Sequence, residues 1–214
     1  GTIEVNAPLD GTDRVQRVLI GAGKHNGTTI RGRFAGADVG QPVLDLTGAT
    51  QWEFHRIAIN GIGTAPNLPS CALLLARSTT NNDSSRHRFY DAAFGGSVTL
   101  APFIATSSES NVFFNTDSGT DNNSALAHVY LGARNTIGAT SPFRTISNAS
   151  QGNAAVFVGG QFGTAGGMTI PVLWLDEAIS VSFIRPFFQY GDGGTRAVRV
   201  TATAVNRAIT FDNI

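Results

Sequence analysis

The sequence predicts an all-β solenoid, a parallel β-helix of about seven stacked coils. Three observations carry that prediction. Pro42, Val43, Leu44, Leu46, Ala49, Phe54 and Arg56 return in register far downstream as Pro171, Val172, Leu173, Leu175, Ala178, Phe183 and Arg185. Partial copies lie between these two, and most starts are separated by roughly 26 to 30 residues, a spacing typical of solenoids. The 214 residues hold one lysine, four glutamates and one methionine against 25 glycines and 14 phenylalanines. Strong helix formers are therefore scarce, which favours short strands and tight turns.

In chain order, Thr2-Ile-Glu-Val reads as an opening strand, followed by the turn Leu9-Asp-Gly. Val15 to Ile20, the corner Gly21-Ala-Gly and Thr28 to Gly32 complete an opening coil over 1–34. The repeat then reads as two strands, Val43 to Leu46 and Trp52 to Ile59, joined by a Thr-Gly corner and closed by Asn60-Gly61. Cys71-Ala-Leu-Leu-Leu-Ala begins like the first of these, and Phe89 to Gly96 follows Phe54 to Gly61 position for position. Weaker first-strand copies fall at Val98-Thr-Leu, His128-Val-Tyr-Leu, Ala155-Val-Phe-Val and Val198-Arg-Val. The interval before Pro171 is short, so Ala155 to Val158 alternatively reads as an extra strand of a neighbouring coil. No helical linker or compositional break divides the chain, giving one domain over 1–214 with stacked coils over 35–214.

Composition narrows the function classes. Hydrophobic residues make up 42% and charged residues 14%, which argues against disorder. Formal net charge is zero with no basic run, against a nucleic-acid surface. No apolar stretch reaches membrane-spanning length, so membrane insertion is not expected. Cys71 has no partner for an internal disulfide and reads as a buried structural thiol.

The segment Val18-Leu-Ile-Gly-Ala-Gly-Lys-His-Asn-Gly-Thr-Thr-Ile-Arg-Gly resembles the opening coil of pectin-lyase-like, single-stranded right-handed parallel β-helices. Within that superfamily the chain is most similar to bacteriophage tail spikes and tail fibres. The resemblance covers nearly the whole chain as a coil pattern, and it marks a fold rather than an activity. It implies a viral or prophage receptor-binding protein on the virion tail, extracellular and homotrimeric, attaching to a host surface polysaccharide. The alternative it admits is a polysaccharide depolymerase, a hydrolase or lyase, and it implies no cofactor.

Alternation assigns faces to the strands. Leu44, Leu46, Val129, Leu131, Leu173, Leu175, Trp52 and Phe54 are expected inside; Val43, Asp45, Glu53 and His55 are expected outside. Aligning Phe54 with Phe89 sets Glu53 beside Arg88, His55 beside Tyr90 and Arg56 beside Asp91. These read either as a stabilising side-chain ladder or as a cluster with His55 as proton carrier and Asp91 as its partner. The first-strand outward column reads Asp45, Leu74, Thr99, Tyr130, Phe157, Trp174 and Arg199. Its aromatics, Tyr130, Phe157 and Trp174, suit either a subunit interface or a sugar-stacking groove.

Glycoside hydrolysis needs two carboxyls, about 5 to 5.5 Å apart for retention or about 6.5 to 9.5 Å for inversion. No column with two such acids is apparent. The candidates are Asp91, Asp117, Asp121, Asp176 and His55, with Asp117 and Asp121 also a weak calcium pair. The polar stretches Thr79 to Ser85, Thr106 to Ser110 and Thr116 to Ser124 read as loops. His25, His55, His87 and His128 are scattered, and with the single cysteine they make no zinc-ligand set.

Overall fold

A computed structural model describes residues 1–12, 14–78, 83–106, 108–120, 125–132, 154–163, 169–176, 178–189, 197–201 and 207–213. The chain repeatedly visits three sheets in one order, and every strand pairing is parallel. The first sheet stacks Leu9–Asp10, Leu44–Asp45, Leu73–Ala76, Phe103–Thr106, Val129–Gly132, Leu173–Asp176 and Val198–Val200. The second stacks Val15–Ile20, Thr50–His55, Arg88–Tyr90, Val112–Phe114, Val156–Val158, Ile179–Ile184 and Arg207–Asp212, with short strands Ser84–Ser85 and Ser108–Glu109 beside them. The third stacks Thr2–Val5, Thr28–Gly32, Ile57–Gly61, Ala93–Gly96, Asp117–Gly119, Gln161–Phe162 and Phe187–Phe188. This is a parallel β-helix.

Each coil therefore has three strands, not the two expected from the repeat. Trp52 to Ile59 is split at Arg56, whose φ of 53° turns the chain from the second sheet to the third. Asp91, Asn115, Gly159, Arg185 and Asn213 occupy the same turn in other coils, all at positive φ. A non-glycine residue in that conformation costs about 1 to 2 kcal/mol. The turn is held because its amides continue the ladder: Arg56 N–H donates to Tyr90 O, Asp91 N–H to Phe114 O and Asn115 N–H to Val158 O, at 2.8–3.0 Å. A second left-handed column, including Gln16, Gln51, Arg86, Ser110 and Ser180, bends the second sheet within each coil.

The core follows from inward alternation. Leu44, Leu73, Phe103, Val129 and Leu173 form one buried column on the first sheet. On the second sheet Phe54, Phe89, Phe113, Phe157, Phe183 and Phe211 stack ring on ring, with centroids 4.4–5.1 Å apart. Offset aromatic pairs contribute about 0.5 to 1.5 kcal/mol each beyond the area they bury. The inter-strand repeat of roughly 4.8 Å sets the ring spacing.

Several expectations are corrected. Val43, expected outside from strand alternation, precedes its strand at the corner and is fully buried. Ala155 to Val158 is not a first-strand copy; its strand pairs with Val112–Phe114 and Ile179–Ile184 in the second sheet. The first-sheet strand near Val98-Thr-Leu is Phe103–Thr106. Ser84–Ser85, Ser108–Glu109 and Asp117–Gly119, read as loop, are strands.

Candidate functional site

The outward residues of the second sheet form two columns along the solenoid. One runs Val18, Glu53, Arg88, Val112, Val156, Ser182 and Thr210. The other runs Ile20, His55, Tyr90, Phe114, Val158, Ile184 and Asp212. Ile20 is 67% exposed, Val18 58% and Phe114 50%, so this face is apolar and open to solvent. Its centre is aromatic. His55 and Tyr90 stack with centroids 4.9 Å apart, and Phe114 lies one level above Tyr90.

Charge sits beside the rings and is internally paired. Arg88 Nη1 donates to Glu53 Oε1 at 3.0 Å, and His55 Nε2 lies 3.3 Å from Glu53 Oε2. The hydrogen bond from His55, then that from Arg88, holds the Glu53 carboxyl below its usual range. The expected neighbours Glu53–Arg88 and His55–Tyr90 are thus both present. Arg56 and Asp91 share the turn column, but the Asp91 carboxylate accepts from Asn115 Nδ2 of the coil above.

The segment that carries the superfamily resemblance crosses this corner as a strap. Lys24 Nζ donates to Asn115 O at 2.6 Å and pairs with Asp117 at 3.0 Å, while His25 Nε2 lies 3.1 Å from Asp117. Asp117 Oδ1 also accepts the Gln161 amide at 2.8 Å. Ala58 and Ala93 lie below Asp117 in its outward column. His55, Asp91 and Asp117 are therefore gathered on one side of the molecule, and Asp121 lies outside the described residues.

The aromatic column assigned to the first sheet is corrected. Its register is Asp10, Asp45, Leu74, Ile104, Tyr130, Trp174 and Arg199, so Ile104 stands where Thr99 was expected. Phe157 belongs to the core ladder of the second sheet. Tyr130 is fully buried and Trp174 is 8% exposed, so neither offers a free ring face. Arg199 lies 3.8 Å from the Trp174 ring centroid, and the Trp174 indole N–H donates to Thr201 Oγ1 at 2.8 Å. Tyr130 O–H donates to Asp176 Oδ2 at 2.9 Å, placing this candidate acid in a buried cluster on a different sheet from His55.

Asp10 and Asp45 are a column of two acids one coil apart, which sequence alignment of the copies missed. The missing signal was Leu9-Asp10-Gly-Thr beside Leu44-Asp45-Leu-Thr. Each Oδ1 accepts the amide two residues on, from Thr12 or Thr47, at 2.9 Å. The Thr12 amide lowers the Asp10 pKa, so Asp10 is unsuited to donate a proton at neutral pH.

Ser84 and His87 look like a nucleophile and base, with Oγ and Nε2 2.9 Å apart. Both are fully buried. The Trp52 amide donates to His87 Nδ1 at 3.2 Å, so the neutral ring carries its proton on Nε2 and donates to Ser84. That is the wrong direction for a base activating serine. His87 N–H donates in turn to Asn111 Oδ1, and Asn111 Nδ2 to Ser108 Oγ, a polar chain satisfying amides where the second sheet bends. Cys71 is buried, and desolvation pushes its thiol pKa far up, as befits an inert core residue.

The chain matches no protein-family model and no curated protein sequence. Among solved structures it is similar to the Streptococcus pneumoniae surface protein and adhesin PfbA, at 10% identity and a TM-score of 0.32. The match covers 98% of this chain and 66% of that one, just under two thirds of its length.

Proposed function

We propose that this chain is an attachment module of a viral or prophage tail spike or fibre, holding a host surface polysaccharide against its second sheet. On this reading it works outside the cell, on the virion tail, as a homotrimer. The observation that carries the binding reading is the outward column Ile20, His55, Tyr90, Phe114, Val158 and Ile184, in which Ile20 and Phe114 are exposed and the other four half-buried. Pyranose rings present apolar C–H faces that pack on such side chains, while their hydroxyls reach Glu53, Arg88 and Asp91 at the edge. A ladder bonded coil to coil supplies a rigid platform, so little ordering is needed on binding.

The test is binding of the protein to an array of bacterial surface polysaccharides, repeated with Phe114→Ser and Tyr90→Ala. Each variant is expected to lose about tenfold in affinity, the equivalent of 1.4 kcal/mol. Wild-type affinity in both variants overturns the reading. Light scattering accompanies it: if Phe114→Ser dissociates the assembly, the column is a subunit contact rather than a glycan platform.

A second reading, a polysaccharide depolymerase, draws on the gathering of His55, Asp91 and Asp117 on one side. The local electrostatics favour binding over cleavage. Glu53 is held ionised by His55 and Arg88 and is not poised as a proton donor, while the Asp117 carboxylate is occupied by contacts to Lys24 and His25. Release of reducing ends that disappears in Asp91→Asn or Asp117→Asn would establish cleavage instead.

A further inference from the structure

On another side of the solenoid, the corner loops between the third and first sheets form an open cleft of about 340 Å³. It is lined by Asn6, Arg33, Phe34, Gly63, Thr64 and Asn67, drawn from three successive coils. We infer that this cleft is a ligand site for a monosaccharide-sized molecule bearing a single oxyanionic group, carboxylate or phosphate. The proposal is independent of the second-sheet column and involves none of its residues.

The cleft is built rather than incidental. Its loops stack in register because Arg33 N–H donates to Val5 O and Ile62 N–H to Gly32 O, at 3.0 and 2.9 Å. The upper loop closes on itself, with Asn67 N–H donating to Thr64 O and Leu68 N–H to Pro66 O. Leu68 is buried and its carbonyl accepts the Gly40 amide, anchoring the loop to the coil below. Gly63 has φ of 147°, and a Cβ there would stand 2.4 Å from Asn67 O, so only glycine permits this closure. Phe34, one of the lining residues, is buried in the core and ties the cleft to the packed interior.

The chemistry of the lining selects the ligand. Arg33 is the one cation in it, no acid lines it, and among the described residues Arg33 makes no ion pair. A guanidinium fork matches a carboxylate or phosphate with two parallel hydrogen bonds. The Asn6, Thr64 and Asn67 side chains offer both donors and acceptors suited to hydroxyls. The volume is near the lower end of small-molecule sites, roughly 300 to 1,000 Å³, which fits one sugar-sized body.

The experiment follows backbone amide shifts by NMR during titration with glucose 6-phosphate, glucuronate, glucose and inorganic phosphate, in wild type and Arg33→Gln. The expected result is saturable shifts at Gly63, Thr64 and Asn67 with glucose 6-phosphate or glucuronate, weakened at least about tenfold in Arg33→Gln. Whichever of the two binds tighter identifies phosphate or carboxylate as the group held. Arg33 is exposed, so the variant is expected to melt with wild type, separating lost binding from lost fold. The proposal is overturned if neither compound gives Arg33-dependent shifts, or if glucose or bare phosphate binds as tightly.

Discussion

Phe157 stacks on Phe113 with ring centroids 4.4 Å apart and planes 7° from parallel, the closest step of the core ladder. Phe157 also meets Phe183 on its other side at 4.7 Å and touches Phe162 edge-on at 5.7 Å. Truncating it removes one ring from a continuous stack and leaves a cavity between two coils that the ladder prevents from collapsing. Phe157→Ala is therefore expected to cost about 3 to 5 kcal/mol, read as a lowered urea midpoint with little change in slope. A loss below about 1 kcal/mol would mean the ring is not in the core.

The same residue shows where sequence reading stops. Ala155-Val-Phe-Val alternates as His128-Val-Tyr-Leu does, and period two tells which residues share a face without telling which sheet they join. The copies flanked by Pro-Val-Leu were legible because proline and glycine mark their corners. The turn at Arg56 was not, since an arginine there carries no turn signature and is held in the left-handed region by ladder hydrogen bonds from the next coil. A recoverable signal existed: Phe54-His-Arg, Phe89-Tyr-Asp, Phe113-Phe-Asn, Phe157-Val-Gly and Phe183-Ile-Arg all place a core phenylalanine two residues before the turn. Of the candidate site, the pairs Glu53–Arg88 and His55–Tyr90 followed from aligning two copies. The strap from Lys24 to Asp117 could not, because it joins residues 93 positions apart through loop geometry rather than repeat register.

His87 makes acid stability a second prediction. Burial lowers its pKa from 6.5 to about 3 in the folded chain. Between those values the unfolded chain binds a proton that the folded chain refuses, so stability falls as pH drops below about 6.5 and stops falling on this account near 3. His128, lowered to about 4 by burial, acts in the same direction. Urea midpoints measured at pH 7, 6 and 5 are expected to decline progressively, with His87 imidazole nitrogen shifts remaining those of the neutral Nε2–H tautomer. Titration of folded His87 near pH 6.5 would contradict the assignment.

Tyr130 and Asp176 give a third. Gly132 lies beneath Asp176 in the first sheet, and a Cβ there would stand 2.6 Å from the Tyr130 hydroxyl oxygen, so glycine makes room for the phenol to reach the carboxylate. Tyr130→Phe deletes a buried hydrogen bond to this acid and is expected to cost about 1.5 to 3 kcal/mol. The Tyr130→Phe and Asp176→Asn changes should be non-additive by more than about 0.5 kcal/mol in a double-mutant cycle. Strict additivity would show that the contact contributes nothing of its own.

The strap offers the last test, because Lys24 is the single lysine of the chain. A lysine-specific protease can cut only after Lys24, so its rate reports directly on release of this loop. In the closed state Lys24 is held by Asn115 O and Asp117, its side chain only 11% exposed, and the loop must open before a protease can accommodate it. Cleavage then follows the population of the open form. Asp117→Asn removes the partner charge of both Lys24 and His25 while keeping the side-chain shape, and is expected to speed cleavage about tenfold, corresponding to 1.4 kcal/mol of easier opening. Global unfolding should change far less, since the substitution leaves the core ladder untouched. Equal cleavage rates in wild type and Asp117→Asn would show that the contacts left intact, the Lys24 bond to Asn115 O and backbone bonds such as Gly21 N–H to His55 O and Gly23 N–H to Arg56 O, hold the strap closed without the Asp117 charge.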